Sequence, residues 1–373
     1  MKKIFISVIL ILLYLSVISC GSSSNLDLSN INTANEKATI GTKILYKKIE
    51  EISKQGIAFG HEDATAYGVG WKDDGGKIQS DVEKVTGKFP AVHGFDVGHI
   101  ELGRSHNLDT VSFELMKNHI KKIHKEGGMI TISWHLNNPL SGGSSWDSIP
   151  AVASILEGGN QRKKYELWIG RLSSFLKSLQ DEKGDYIPIV FRPFHEMNGS
   201  WFWWGGENTT PKAYKQLWKE TYSLLKKQKV NNLLFAFSPN TLSSKEEFDT
   251  YYPGDDFVDI IGVDVYNHDG DEAFTKSLIS NIEILKNKAR NSNKPYALTE
   301  TGNTKFGENP TWWTEALYPG IEGTGISWVL VWRNARPNHF FASFKEDVAK
   351  EDFKDFEELK EILFLPEVKK IDY

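Results

Sequence analysis

Cysteine is all but missing from this chain: of 373 residues only Cys20 carries a thiol. One cysteine closes no intramolecular disulfide and supplies no thiolate cluster for zinc or iron–sulfur. Charge of one sign is missing too. Lys and Arg number 44 against 49 Asp and Glu, a formal net charge of −5, with no basic block. That balance argues against nucleic acid as a partner. Long apolar runs are confined to Ile4–Val17, and roughly 14 residues fall short of the ~20 that a spanning helix needs. No G-x-G-x-x-G follows the first strand-like run, which counts against an open dinucleotide-binding sheet.

The first residues read as an address. Met1-Lys2-Lys3 is basic, Ile4–Val17 is apolar, and Val17-Ile18-Ser19-Cys20 places a small residue before the cysteine. This order is that of a secretory signal. Its end resembles a bacterial lipobox, which implies that Cys20 is lipidated. The expected organisation is a signal at 1–20, a Ser- and Asn-rich tether at 21–36 and one catalytic domain at 37–373. Membrane contact is then through the lipid alone, and the working domain is a monomer in the cell envelope. Gly21-Ser22-Ser23-Ser24 holds no acidic residue, which leans towards a periplasm-facing protein rather than a surface one.

What is present is a regular alternation. β-branched and aromatic runs recur at Ile57–His61, Ala91–Asp96, Met129–His135, Ile187–Arg192, Leu233–Ser238, Val258–Val265, Tyr296–Thr301 and Ile326–Trp332. Helical patterns lie between and after them, at Asp81–Thr86, Phe113–Glu126, Lys163–Gln180, Pro211–Lys229, Lys245–Tyr251, Ala273–Asn291, Thr311–Leu317 and Phe344–Leu363. Thr209-Thr210-Pro211 reads as a capped helix start, and Gly127-Gly128 as a stop. Strict β/α alternation makes the sheet parallel, and eight units predict closure into a single (β/α)8 TIM barrel. Such barrels collect their chemistry at strand C-termini. Here those ends hold His61-Glu62-Asp63, Asp96, Trp134-His135, His195-Glu196, Asn240, Asp264 to Tyr266, Glu300 and Trp332-Arg333.

Two of these stand out. Glu196 ends the fourth run and Glu300 the seventh, so their side chains can converge across one mouth. Carboxylates about 5–5.5 Å apart serve a retaining glycosidase, and about 6.5–9.5 Å an inverting one. Either Glu alone is as well explained as an ion-pair partner of Arg192 or Arg333; two together, flanked by Arg, His and Trp, favour the glycosidase. The chain also holds 12 tryptophans, with Trp201, Trp203 and Trp204 nearly adjacent. Tryptophan in polar loops suits stacking on sugar faces, and core packing accounts for about half of the total.

The segment Phe191-Arg-Pro-Phe-His-Glu-Met-Asn-Gly-Ser-Trp-Phe-Trp-Trp-Gly205 closely resembles the acid/base region of glycoside hydrolase family 26, the β-mannanase family. Gly60-His61-Glu62, Gly94-Phe95-Asp96, Ser133-Trp134-His135, Ile261–Tyr266, Thr299-Glu300-Thr301-Gly302 and Trp328–Arg333 resemble other strands of that family, over about residues 40 to 345. The resemblance implies that Glu196 is the general acid/base and Glu300 the nucleophile. It implies that His195 hydrogen-bonds the nucleophile or the sugar 2-OH and that Tyr266 orients Glu300. His135, Trp332 and Arg333 would surround the sugar being cleaved, and Trp201 and, further out, Trp146 would stack on the leaving-group side. Arg192, and Arg333 if it faces inward, would keep the nucleophile ionised. The substrate implied is β-1,4-mannan or a manno-oligosaccharide, with no cofactor and no metal.

Alternatives stay open at this stage. The same family holds enzymes for β-1,3-xylan and mixed-linkage glucan, and a sugar-capturing lipoprotein could use the same barrel. Internal versus chain-end cutting turns on loops such as Trp134 to Asn160. His93, Asp96 and His99 have a metal-like spacing but read as polar wall residues. Asp73-Asp74-Gly75-Gly76 reads as a turn, and the interleaved charges from Phe344 to Lys360 as a solvated helix face.

Overall fold

A computed structural model describes Leu28 and residues 30–371. The signal, Cys20 and most of the tether lie outside the described residues. Among the described residues eight parallel strands form the barrel wall: β1 (Ile57–Glu62), β2 (Val92–Asp96), β3 (Met129–Trp134), β4 (Ile189–Pro193), β5 (Leu233–Phe237), β6 (Ile260–Asn267), β7 (Tyr296–Asn303) and β8 (Trp328–Val331). Each pairs with its sequence neighbour. The sheet closes where β8 returns to β1, with Ala58 opposite Trp328 and His61 opposite Val331. The open sheet considered above is thereby excluded, and every strand falls where the alternation placed it to within a few residues.

The helices follow the same pattern. Asp81–Thr86 and Lys245–Tyr251 match their expected limits. Pro211–Lys227 starts as its sequence requires, with the Thr210 hydroxyl accepting from Ala213 N at 3.2 Å and proline in the first turn. Phe113–Lys125 stops before Gly127, whose φ of 90° suits glycine. The segment read as one helix from Phe344 breaks into Lys350–Glu358 and a two-residue strand, Ile362–Leu363, which pairs with the foot of β1. Nor is its face only solvated. Phe353 and Phe356 are buried against Phe59 and Trp313, because their spacing of three puts both on the barrel side.

A helix at Ile40–Gln55, not expected above, joins the foot of the barrel. Its Leu45, Tyr46, Ile49 and Ile52 share a buried cluster with Ala58, Val190, Leu234, Ile260 and Trp328, worth roughly 1.5–3 kcal/mol for each large side chain. The tether also ends earlier than expected. Ile31 joins this cluster, Ala34 N donates to Asp259 Oδ1 at 2.6 Å, and Asn35 bonds Asn231 at 3.0 Å. Ordered packing therefore begins before position 37. Among the described residues no helix is long and apolar enough to cross a membrane.

The register of the sheet sets the mouth. Between β6 and β7 it shifts by one residue after Val263, so Asp264 lies opposite Glu300 rather than Thr299. A bulge of this kind re-aims the side chains beyond it. At β2, Gly94 leaves room for Glu62, whose carboxyl a Cβ at that position would strike.

Candidate active site

The loop leaving β4 carries the first carboxyl. Phe194 and Glu196 both adopt positive φ, 51° and 54°, a conformation that costs a non-glycine residue on the order of 1–3 kcal/mol. Hydrogen bonds hold it there. Tyr214 OH donates to Phe194 O at 3.0 Å, Trp204 Nε1 to His195 O at 2.9 Å, and Glu196 N to Ser238 O at 2.8 Å. Trp203 and Trp204 are fully buried, and Phe202 stacks on Trp204 at 4.4 Å. Eight of the twelve tryptophans are buried, so more of them serve the core than the half expected. Within this cluster Trp201 faces outward, 40% exposed.

Glu196 accepts from Asn240 Nδ2 at 2.9 Å on one oxygen and from Trp201 Nε1 at 2.8 Å on the other. Burial and then the charge of Glu300 push its carboxyl up to about 7, although both donors and Arg192 pull the other way. Glu300 has a different setting. The Arg192 guanidinium contacts its Oε1, and Tyr266 OH donates to Oε2 at 2.9 Å. Arg192 also reaches Asp264 Oδ2 and Ser238 Oγ, each at 2.8 Å. One oxygen from each of Glu196, Asp264 and Glu300 lies within 4.8 Å of the other two. Three carboxylates so placed are compact enough to ligate a cation, but the guanidinium already bonded to two of them supplies the positive charge.

Aromatic rings wall the site. Trp146 lies parallel to His135 at 5.1 Å and is 52% exposed, and Trp332 meets His135 edge-on at 6.0 Å. His135, His195, Tyr266 and Trp332 thus gather with both glutamates, while Trp201 and Trp146 stand at the open rim.

Two of the contacts left open above are not made. Arg333 does not face Glu300. It pairs with Asp109 at 2.9 Å and donates to Tyr67 OH at 3.3 Å, while Tyr67 donates to Asp63 at 2.7 Å. With Arg192 between Asp264 and Glu300, the carboxylates of the first two strand loops are what remained for it. His195 does not hydrogen-bond Glu300 either, its Nε2 standing 4.0 Å from Oε1. That nitrogen meets Nε2 of His135 at 3.2 Å. Asp96 is not poised with His93 and His99 but turned towards His135, at 2.7 Å.

Asp63, Asn240 and Asp264 belong to the site; the sequence named them as polar strand-end residues and gave none of them a role, and it did not point to Asp109. Asn240 and Asp264 carried the available signal, a polar side chain at a strand end. Asp109 carried none, being mid-loop.

The family model described as glycosyl hydrolase family 26 matches residues 34–306. A solved β-mannanase of that family from Bacteroides ovatus is 43% identical, covers 90% of this chain and 98% of its own, and superposes with a TM-score of 0.86. A mannan endo-1,4-β-mannosidase of Bifidobacterium adolescentis is 29% identical over 88% of this chain and 35% of itself. One from Bacillus subtilis is 30% identical over 59% of this chain and 60% of itself. The chain thus spans about a third and about three fifths of the lengths of these two curated relatives.

Proposed function

Given that this chain belongs to glycosyl hydrolase family 26, we propose that it hydrolyses β-1,4-mannosidic linkages in mannans or manno-oligosaccharides with retention of configuration. The observation that carries this is the short gap, within 4.8 Å oxygen to oxygen, between two carboxyls in opposed environments. An approach this short accords with the retaining separation of about 5–5.5 Å rather than the inverting one of about 6.5–9.5 Å. The pair also speaks against a protein that merely holds sugar, for which stacking rings would suffice.

Glu300, oriented by Arg192 and Tyr266, attacks the anomeric carbon, and Glu196 protonates the departing glycosidic oxygen. A covalent glycosyl-enzyme forms and the leaving sugar departs. With its carboxyl near 7, Glu196 still holds a proton at neutral pH. Once Glu300 is esterified its charge is gone, which removes one cause of that elevation. Glu196 then takes a proton from water, the water attacks the anomeric carbon, and the sugar is released with Glu300 restored. His135 and Trp332 line the sugar undergoing cleavage; Trp201 and Trp146 stack on the leaving-group side. No step calls for a cofactor or metal.

The test is a product time course on mannan, mannohexaose, β-1,3-xylan and lichenan, with the first anomer read by NMR. Turnover of the mannans with a β product supports the reading, and an α product or turnover confined to xylan or lichenan overturns it. We further propose that Cys20 carries a lipid anchor in the cell envelope, facing the periplasm, and that the domain works as a monomer. Mass spectrometry of the mature N-terminus and fractionation of Cys20→Ala cells check the anchor.

A further inference from the structure

Asp96, at the end of β2, touches neither glutamate, yet it is among the most tightly held groups in the mouth. Its carboxylate is buried and accepts from Gly98 N at 2.6 Å, Ser133 Oγ at 2.7 Å, His135 N at 3.1 Å and His135 Nδ1 at 2.7 Å. Asn107 donates to its backbone oxygen at 2.9 Å. A carboxylate that receives a backbone N–H and a hydroxyl is an acceptor, so His135 must carry a proton on Nδ1. The far nitrogen of that ring meets Nε2 of His195 at 3.2 Å, with the rings crossed at 80°. A hydrogen bond between two imidazole nitrogens needs a proton on one and a lone pair on the other.

We propose that Asp96 is a positioning residue of this active site, which through His135 decides where the protons of the His135–His195 pair sit, making His135 the donor and His195 the acceptor beside Glu300. The charges facing His135 favour this order. Asp96 and Asp109 approach from β2 and its following loop, Glu300 from β7, Arg192 from β4 and His195 from the loop after it; the other neighbours are the rings of Trp146, Phe202 and Trp332. Burial opposes charge on His135, but the charge and hydrogen bond of Asp96, with the charge of Glu300, together raise the imidazole above its usual range. Burial, with Arg192 and His135 nearby, drives His195 the other way. The lone pair of His195 Nε2 is then engaged by His135, and its own proton lies on Nδ1. His195 precedes Glu196 in the strained loop, so locking its ring steadies the acid.

The kinetic part rests on the function proposed above; the proton placement does not. The full chain labelled with 15N-histidine, its signals assigned with His135→Gln and His195→Gln, is read by long-range 1H–15N correlation near pH 7 without substrate. The wild type should show His135 protonated on both nitrogens and His195 neutral with its proton on Nδ1. In Asp96→Asn, His135 should become neutral and kcat on mannohexaose should fall on the order of 10–100-fold, as when the orienting partner of a functional imidazole is removed, while KM changes little. A neutral His135 in the wild type, a proton on His195 Nε2, or an unchanged spectrum in Asp96→Asn overturns the proposal. The wild-type spectrum decides even if that variant fails to fold. The expected spectrum without hydrolysis of mannohexaose would support the proton placement and overturn the function instead.

Discussion

The indole Nε1 of Trp201 donates to Oε2 of Glu196 at 2.8 Å, so a half-exposed ring at the rim is aimed by the carboxyl that would protonate the leaving group. The bond has two consequences, one for the pH at which Glu196 loses its proton and one for the stacking surface it orients.

The alkaline limb of kcat/KM should fall near pH 7, where Glu196 ionises and can no longer act as acid. Asn240 and Trp201 donate to the ionised form and so lower that value. Removing a donor must raise it. Asn240→Ala should therefore move the limb to higher pH, as read from pH–rate profiles on mannohexaose; a downward shift would contradict the assignment of Glu196.

Glu196→Ala should slow mannan hydrolysis by about 10²–10⁴-fold, the usual worth of a general acid or base. Aryl mannosides with very good leaving groups should keep a near-normal first step and accumulate glycosyl-enzyme, visible as a burst. Added azide should restore turnover.

Glu300→Ala should abolish turnover on every substrate, aryl mannosides included, by roughly 10⁴-fold or more, the scale seen when a nucleophile is deleted. Residual rates close to wild type would remove Glu300 from the mechanism.

Tyr266→Phe deletes the hydroxyl that bonds Glu300 at 2.9 Å. A hydrogen bond to a charged group is worth about 1.5–3 kcal/mol, so kcat should drop roughly 10–100-fold in steady-state assays, with the circular dichroism spectrum and melting temperature near those of wild type.

Arg333→Ala separates the expected from the observed arrangement. Because Arg333 bonds Asp109 and Tyr67 and not Glu300, its loss should leave Asp109 and Asp63 without their cation and lower the melting temperature. The pH profile set by Glu196 should stay in place. A shifted profile would restore the inward-facing reading.

Local patterns account for much of this protein. The alternation of apolar runs specifies eight strands, since strand and helix periodicities are properties of neighbouring residues. Thr210-Pro211 and Gly127 mark helix ends through contacts a few residues long. Glu196 and Glu300 were legible because a strand end in a parallel barrel faces the mouth whatever its partners are. The helix Ile40–Gln55 was not, because its apolar face has meaning only against the foot of the closed barrel.

Which group bonds which was decided elsewhere. Arg192 and Arg333 are both arginines at strand ends, and nothing local distinguishes the one that holds Glu300 from the one that holds Asp109. His195 precedes Glu196, yet its partner is His135, just past the end of the neighbouring strand β3 and 60 residues away in the chain. Residue types and their periods follow from the sequence by itself; pairing among buried charges depends on distances of a few ångströms between segments far apart in the chain, and only the closed, register-shifted barrel sets those distances.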